Sequence, residues 1–138
     1  MTSGNISPPS LAEIDAMARA ALASLPEPLK HMSEGVVLQV TEFPDDDVCE
    51  ETGLESPFDI MGLYQGVSLM EKRVEASGGL PDLVFLYRRP ILDYWCETGE
   101  DLNHVVRHVL IHEIGHHFGF SDDDMEALEA QADAEENS

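Results

Sequence analysis

Apolar residues recur at helical spacing in two parts of the chain. The first run begins with Ser10-Leu11-Ala12-Glu13, which has the form of a capping box, and Pro26 ends it. The second run extends from about Asp101 to Phe118, and apolar residues cover most of its circumference, so we expect a buried central helix. A last helix is predicted from Asp122 to about Ala132.

Strands are predicted where apolar and β-branched residues form short runs. Val36 to Phe43 and Leu83 to Tyr87 are the clear examples, and the second ends near Pro90. Met61 to Val67 reads as a short strand or a turn. The order of helix, strands, buried helix and short helix predicts an α+β fold, with a small sheet packed on the buried helix.

The length of 138 residues is that of one compact domain. Residues 1–9, rich in Ser, Pro and Gly, are predicted to be a flexible tail, residues 10–132 the domain, and residues 133–138 an acidic flexible tail. The start of the chain has no basic region followed by an apolar segment, and no stretch is apolar enough to span a membrane. Two widely spaced cysteines, Cys49 and Cys96, favour a reducing compartment, so we expect a cytoplasmic protein.

The formal net charge is −21 at pH 7. Eight acidic residues and no basic one lie in each of the segments 42–59 and 121–138. The negative electrostatic potential of these segments would repel nucleic acid and anionic membranes, and it would attract a basic partner protein. The simpler interpretation is that acidic loops and tails keep the protein soluble.

The segment from His112 to Asp122 carries the strongest chemical signal, because it reads H-E-x-x-H-x-x-G-x-x-D. Chance alone would produce this extended pattern in roughly 2 of 10,000 shuffled copies of the chain. Two histidines four residues apart lie on one helix face, where both imidazoles can bind one ion. We therefore predict that His112 and His116 are ligands of one Zn²⁺, the alternative being an ordinary histidine pair.

The carboxylates near these histidines have predicted roles as well. Glu113 is the candidate general base that deprotonates a metal-activated water, or else a supporting or solvated carboxylate. Asp122 is the predicted third ligand, because a turn at Gly119 can bring the following residues back to the histidines. The alternatives left open for this third position are Asp123, Asp124 and Glu126.

Three further histidines lie before or within the motif segment. His104 and His108 continue the histidine row upstream, where polar rim or supporting positions are favoured over a second metal site. His117 points elsewhere on the helix, toward solvent or substrate. None of the three is predicted to bind the zinc ion.

Through its H-E-x-x-H-x-x-G-x-x-D motif, the chain resembles the small bacterial zincin-like metallopeptidases, or minimal zincins. The resemblance is most specific over His112 to Asp122 and looser over 81–90 and 62–67. It implies a compact α+β fold, one zinc ion held by His112, His116 and Asp122, and Glu113 as catalytic acid and base. It also implies a peptide or protein substrate, with the strand Leu83 to Tyr87 serving as an edge for an extended peptide.

Two functions follow from these observations. The first is a zinc-dependent metallopeptidase that hydrolyses peptide bonds. The second is a non-catalytic zinc-binding interaction module, which is favoured by the short sequence after Asp122: no Tyr, His or Arg remains there to stabilise an oxyanion.

Overall fold

A computed structural model describes residues 7–66 and 81–136 of the chain. Within these residues the α-helices are α1 (Leu11–Ala23), α2 (Leu29–Met32), α3 (Asp46–Thr52), α4 (Arg88–Thr98), α5 (Leu102–His117) and α6 (Asp122–Glu136). The strands are β1 (Val37–Thr41), β2 (Gly62–Gln65) and β3 (Leu83–Tyr87), and a 3₁₀ turn covers Pro57–Asp59. The predicted α+β class is confirmed. Most of the predicted tail 1–9 and the glycines before β3 lie outside the described residues.

The three strands form one mixed sheet in the order β1-β3-β2. β3 pairs with β1 in parallel and with β2 in antiparallel orientation. The prediction that Leu83 to Tyr87 forms an edge for an extended peptide is therefore wrong, since β3 is the central strand. A continuous apolar run such as Leu-Val-Phe-Leu-Tyr is typical of a strand covered on both sides, and Val84, Leu86 and Tyr87 are buried.

Helix α5 lies at the centre of the hydrophobic core, as its sequence predicts. It packs against α1, β2, β3, α4 and α6. Its side chains Val105, Val106, Leu110, Ile111 and Ile114 are at most 1% exposed. Because α5 carries the histidine motif, the candidate site residues lie on a well-packed element of the core.

Helix ends follow the expected chemistry where the sequence contains capping residues. Ser10 and Glu13 form the predicted capping box at the start of α1, with two backbone-to-side-chain hydrogen bonds of 3.1 Å. The last helix is longer than predicted: α6 continues to Glu136 and so includes the first four residues of the predicted acidic tail.

Helices α3 and α4 are not predicted by the sequence patterns. Helix α4 contains Pro90 at its third position, where the missing N–H would have no intrahelical partner in any case. Helix α3 lies in an acidic segment without apolar periodicity, and it depends on an Asp45 cap and on Gly53 in the left-handed conformation. Among residues 7–66 and 81–136, no helix has the length and apolarity needed to cross a membrane.

Candidate metal centre

A tight turn after α5 reverses the chain and brings α6 alongside the motif. Gly119 has a φ of +85°, as its place just past the helix end predicts. The Phe120 N–H donates to the Gly115 carbonyl at 2.9 Å, and the Gly119 N–H donates to the His116 carbonyl at 3.1 Å. These two bonds form the Schellman arrangement that ends many helices. The turn places the start of α6 next to the last histidines of α5.

The start of α6 is fixed by a second pair of reciprocal hydrogen bonds. The Asp124 N–H donates to the Ser121 hydroxyl, and the Ser121 N–H donates to the Asp124 carboxylate. Asp124 is therefore engaged in capping, whereas its neighbour Asp122 points toward the motif. Asp122 Oδ1 lies 3.3 Å from His116 Nε2, and the two side chains are 87% and 56% exposed.

Another carboxylate of α6 reaches the histidine row from two turns further along. Glu129 Oε2 lies 3.1 Å from His112 Nε2, and Glu129 Oε1 lies 2.5 Å from His108 Nδ1. Within the described part of the chain, His108, His112 and Glu129 are the group of three whose ligand atoms all lie within 4.8 Å of one another. Sequence reasoning missed Glu129, although its spacing of seven residues from Asp122 places both on one helix face.

The predicted ligands are therefore brought together only in part. The rings of His112 and His116 lie 5.8 Å apart between centroids and are perpendicular. Asp122 contacts His116, whereas His112 faces Glu129. The assignment of His112, His116 and Asp122 as one ligand set stays a prediction.

The donor atoms fit a zinc ion in kind and in spacing. Bond lengths near 2.1 Å in a tetrahedral site separate neighbouring ligand atoms by roughly 3.4 Å. The pairs His116–Asp122 and His112–Glu129 lie at 3.3 and 3.1 Å, so modest side-chain movements would admit an ion. Imidazole nitrogen together with carboxylate oxygen is a normal donor set for Zn²⁺.

Glu113 lies in the same cleft as the histidines. The cleft has a volume of about 260 Å³ and is lined by Glu113, His108, His112, His116 and residues 59–62 before and within β2. Burial raises the pKa of Glu113, while the charge of His116 and a hydrogen bond with the Tyr64 backbone act in the opposite direction. A carboxyl group whose pKa is raised by burial is suited to accept and return a proton.

His117 is directed away from the ligand row and packs on strand β2. Its ring stacks on Tyr64 with the centroids 3.9 Å apart, and the Tyr64 hydroxyl donates to Asp82 Oδ2 at 2.8 Å. A Cβ at Gly66 would lie 2.6 Å from the His117 ring, so the glycine gives this ring its space. His117 therefore tethers the end of α5 to the sheet.

One glycine of the motif has a packing role that the pattern alone does not reveal. A Cβ at Gly115 would lie 2.6 Å from Met125 Sδ, and Met125 is fully buried. Gly115 therefore allows α6 to approach the motif helix closely at the level of the histidines. This contact helps to position both Asp122 and Glu129.

Comparison with known families identifies the family of the chain. The family model described as zincin-like metallopeptidase matches residues 33–132 of the 138-residue chain. The chain therefore belongs to the zincin-like metallopeptidase family. No curated protein matches the chain at a significant level.

Proposed function

We propose that this protein is a zinc-dependent peptidase in which Glu113 is the general base and His112, His116 and Asp122 are the metal ligands. The observation that carries the proposal is the position of Glu113, which lines one cleft together with His112 and His116. Membership of the metallopeptidase family supports the same reaction class.

Zn²⁺, when bound, would polarise the substrate carbonyl and acidify a water molecule. The chain supplies the proton transfers. Glu113 accepts a proton from the attacking water and returns it to the leaving amine nitrogen, and its raised pKa suits both steps. The hydrogen bond with the Tyr64 backbone orients the carboxylate for these transfers.

Strand β2 replaces β3 as the proposed docking edge for substrate. Met61 and Gly62 line the cleft beside His112 and Glu113. Within residues 7–66 and 81–136, β2 pairs with β3 on one side, and no strand pairs with its other side. An extended peptide that adds to this edge would gain backbone hydrogen bonds and pass beside the candidate base.

The test is the substitution Glu113→Gln, which removes the base but keeps the shape and the metal ligands. We expect hydrolysis of a peptide library by zinc-loaded protein to fall at least about 10²-fold, in the range that general-base removal causes. Zinc affinity and melting temperature should stay near those of the parent. Glu97→Gln, at an exposed position on α4, is the matched control and should leave turnover unchanged.

Two results would contradict the peptidase proposal. Turnover by Glu113→Gln equal to that of the parent would exclude Glu113 as the base. Tight zinc binding by the parent without hydrolysis of any peptide in the library would favour the alternative, a non-catalytic zinc-binding module.

A further inference from the structure

Glu129 occupies an unusual environment on the inner face of α6. Its side chain is 14% exposed, and its two carboxylate oxygens face two different imidazoles, those of His108 and His112. Within the described part of the chain, its side-chain polar contacts are these two rings. Carboxylates that are largely removed from water need compensating charge or hydrogen bonds.

The next carboxylate along α6 shows how such a group is compensated by an ordinary ion pair. Asp133 contacts the guanidinium of Arg107 as well as His104. No Arg or Lys among the described residues forms such a pair with Glu129. The partners of Glu129 are instead two ring nitrogens, which are groups that can either donate a hydrogen bond or bind a metal ion.

We propose that His108, His112 and Glu129 form a binding site for one divalent transition-metal ion, which differs from the proposed peptidase site in two of its three ligands. The three ligand atoms already lie within 4.8 Å of one another. An ion bound there would lie between the two ring nitrogens and the Glu129 carboxylate and would replace their direct contacts. Two nitrogens and one oxygen favour Zn²⁺, Co²⁺, Ni²⁺ or Cu²⁺ over Mg²⁺ and Ca²⁺.

An ion can reach this site from solvent on two sides. His108 lines the cleft of about 260 Å³ that contains Glu113, and it also lines a second cleft of about 360 Å³ that contains Glu129 and Glu126. Three protein ligands leave at least one coordination position open toward these clefts. The site is therefore accessible as well as assembled.

The two ligand sets share His112, and this makes them alternatives. A neutral imidazole has one lone pair on its unprotonated nitrogen, so His112 binds one ion at a time. The parent protein should accordingly bind one equivalent, held either with His108 and Glu129 or with His116 and Asp122. The inference does not depend on peptidase activity.

The experiment measures Zn²⁺ binding by calorimetry and Co²⁺ binding by its visible absorption on metal-stripped protein. The first variant, His116→Ala with Asp122→Asn, removes the ligands that belong only to the proposed peptidase site. We expect it to keep one equivalent. Adding His108→Ala and Glu129→Gln to this variant should weaken binding at least about 100-fold, because loss of direct ligands costs more than loss of their supporting contacts.

The control is His104→Ala, which removes a histidine one turn upstream in the same row and should leave the affinity unchanged. Circular dichroism and thermal melting establish that each variant is folded before its affinity is compared. Loss of all binding by the folded His116→Ala, Asp122→Asn variant would overturn the inference. If that variant binds one ion while the parent hydrolyses no peptide, the peptidase proposal fails and this one stands.

Discussion

Replacement of Gly115 by alanine tests how closely α6 is packed against the motif helix. The new Cβ would lie 2.6 Å from Met125 Sδ and 2.9 Å from Met125 Cγ. Both separations are shorter than normal contacts between such atoms. Met125 is fully buried, so its side chain cannot swing into solvent to make room.

Two opposing effects set the magnitude of this substitution. Alanine is favoured over glycine inside a helix by about 1 kcal/mol. Overpacking a well-filled core costs about 1–3 kcal/mol. We therefore expect Gly115→Ala to lower the free energy of unfolding by about 1 kcal/mol, with the steric term outweighing the helix propensity.

Removal of the Met125 side chain should reverse the sign of the effect. Met125→Ala alone costs about 2–5 kcal/mol, because it leaves a cavity in the core. In that background the alanine at position 115 no longer meets the sulfur, and only the propensity gain remains. Gly115→Ala should then raise the free energy of unfolding by up to about 1 kcal/mol.

Urea denaturation of the parent, both single variants and the double variant, all without metal, gives the required cycle. As a control, Leu38→Ala removes a buried side chain of β1, and Gly115→Ala should stay destabilising in that background. If Gly115→Ala has the same effect in the parent as in the Met125→Ala variant, the argument that Met125 sets the cost is refuted.

Two further predictions concern the sheet. Gly62→Ala should lower the free energy of unfolding by about 1–3 kcal/mol, because its Cβ would lie 2.7 Å from Val109 Cγ1 and 3.0 Å from the rigid Phe85 carbonyl. Thermal melting measures the effect, and an unchanged melting temperature for Gly62→Ala would contradict the prediction. The control is Gly35→Ala at an exposed position, where the only cost is the backbone strain of a positive φ. Burial first, and then nearby negative charge, raises the pKa of Tyr87 to about 12. Tyr87 therefore ionises at a lower pH in the unfolded chain than in the folded one, so the free energy of unfolding should fall by about 2–3 kcal/mol as the pH rises from 10 toward 12. Urea denaturation across this pH range should show a smaller loss for Tyr87→Phe. Identical dependence of the free energy of unfolding on pH in the two proteins would contradict the prediction.

The parts of the fold that the sequence predicts are those with strong local signals. Ser10 and Glu13 predict the start of α1 because their side chains accept hydrogen bonds from backbone N–H groups at the helix end. Gly119 predicts the end of α5 because its positive φ allows the turn that pairs the last carbonyl groups. The run from Leu83 to Tyr87 predicts a strand with the bounds that the structure has. These elements are specified by residues close to one another in the chain.

The features that escaped prediction depend on tertiary neighbours. The central position of β3 follows from pairing with β1, which is distant in sequence, and no local pattern encodes that pairing. Helix α4 begins immediately after β3 and includes Pro90, a residue that suggests an ending when it is read alone. In the candidate site, nothing in the sequence distinguishes Glu129 from the other carboxylates of α6. Only the packing of α6 against α5 places it next to His108 and His112.

The packing of α6 on α5 also explains why the histidine row faces two carboxylates, Glu129 at His112 and Asp122 at His116. Histidines four residues apart on α5 advance by about 40° per step around the helix, so the row drifts slowly across the face that α6 covers. Asp122 and Glu129 are seven residues apart and therefore lie on nearly the same side of α6. Asp122 contacts His116, and Glu129 contacts His112 one turn away along α5. One helix thus places two oxygen donors beside the motif. In the two metal sites that we propose, His112 is shared, and the carboxylate that joins it would determine the position of the ion. A substitution at the Gly115–Met125 contact would shift α6 and so displace both carboxylates. A substitution at Glu129 or Asp122 would remove one carboxylate and leave the packing of α6 unchanged. The two kinds of variant therefore test helix packing and metal binding separately.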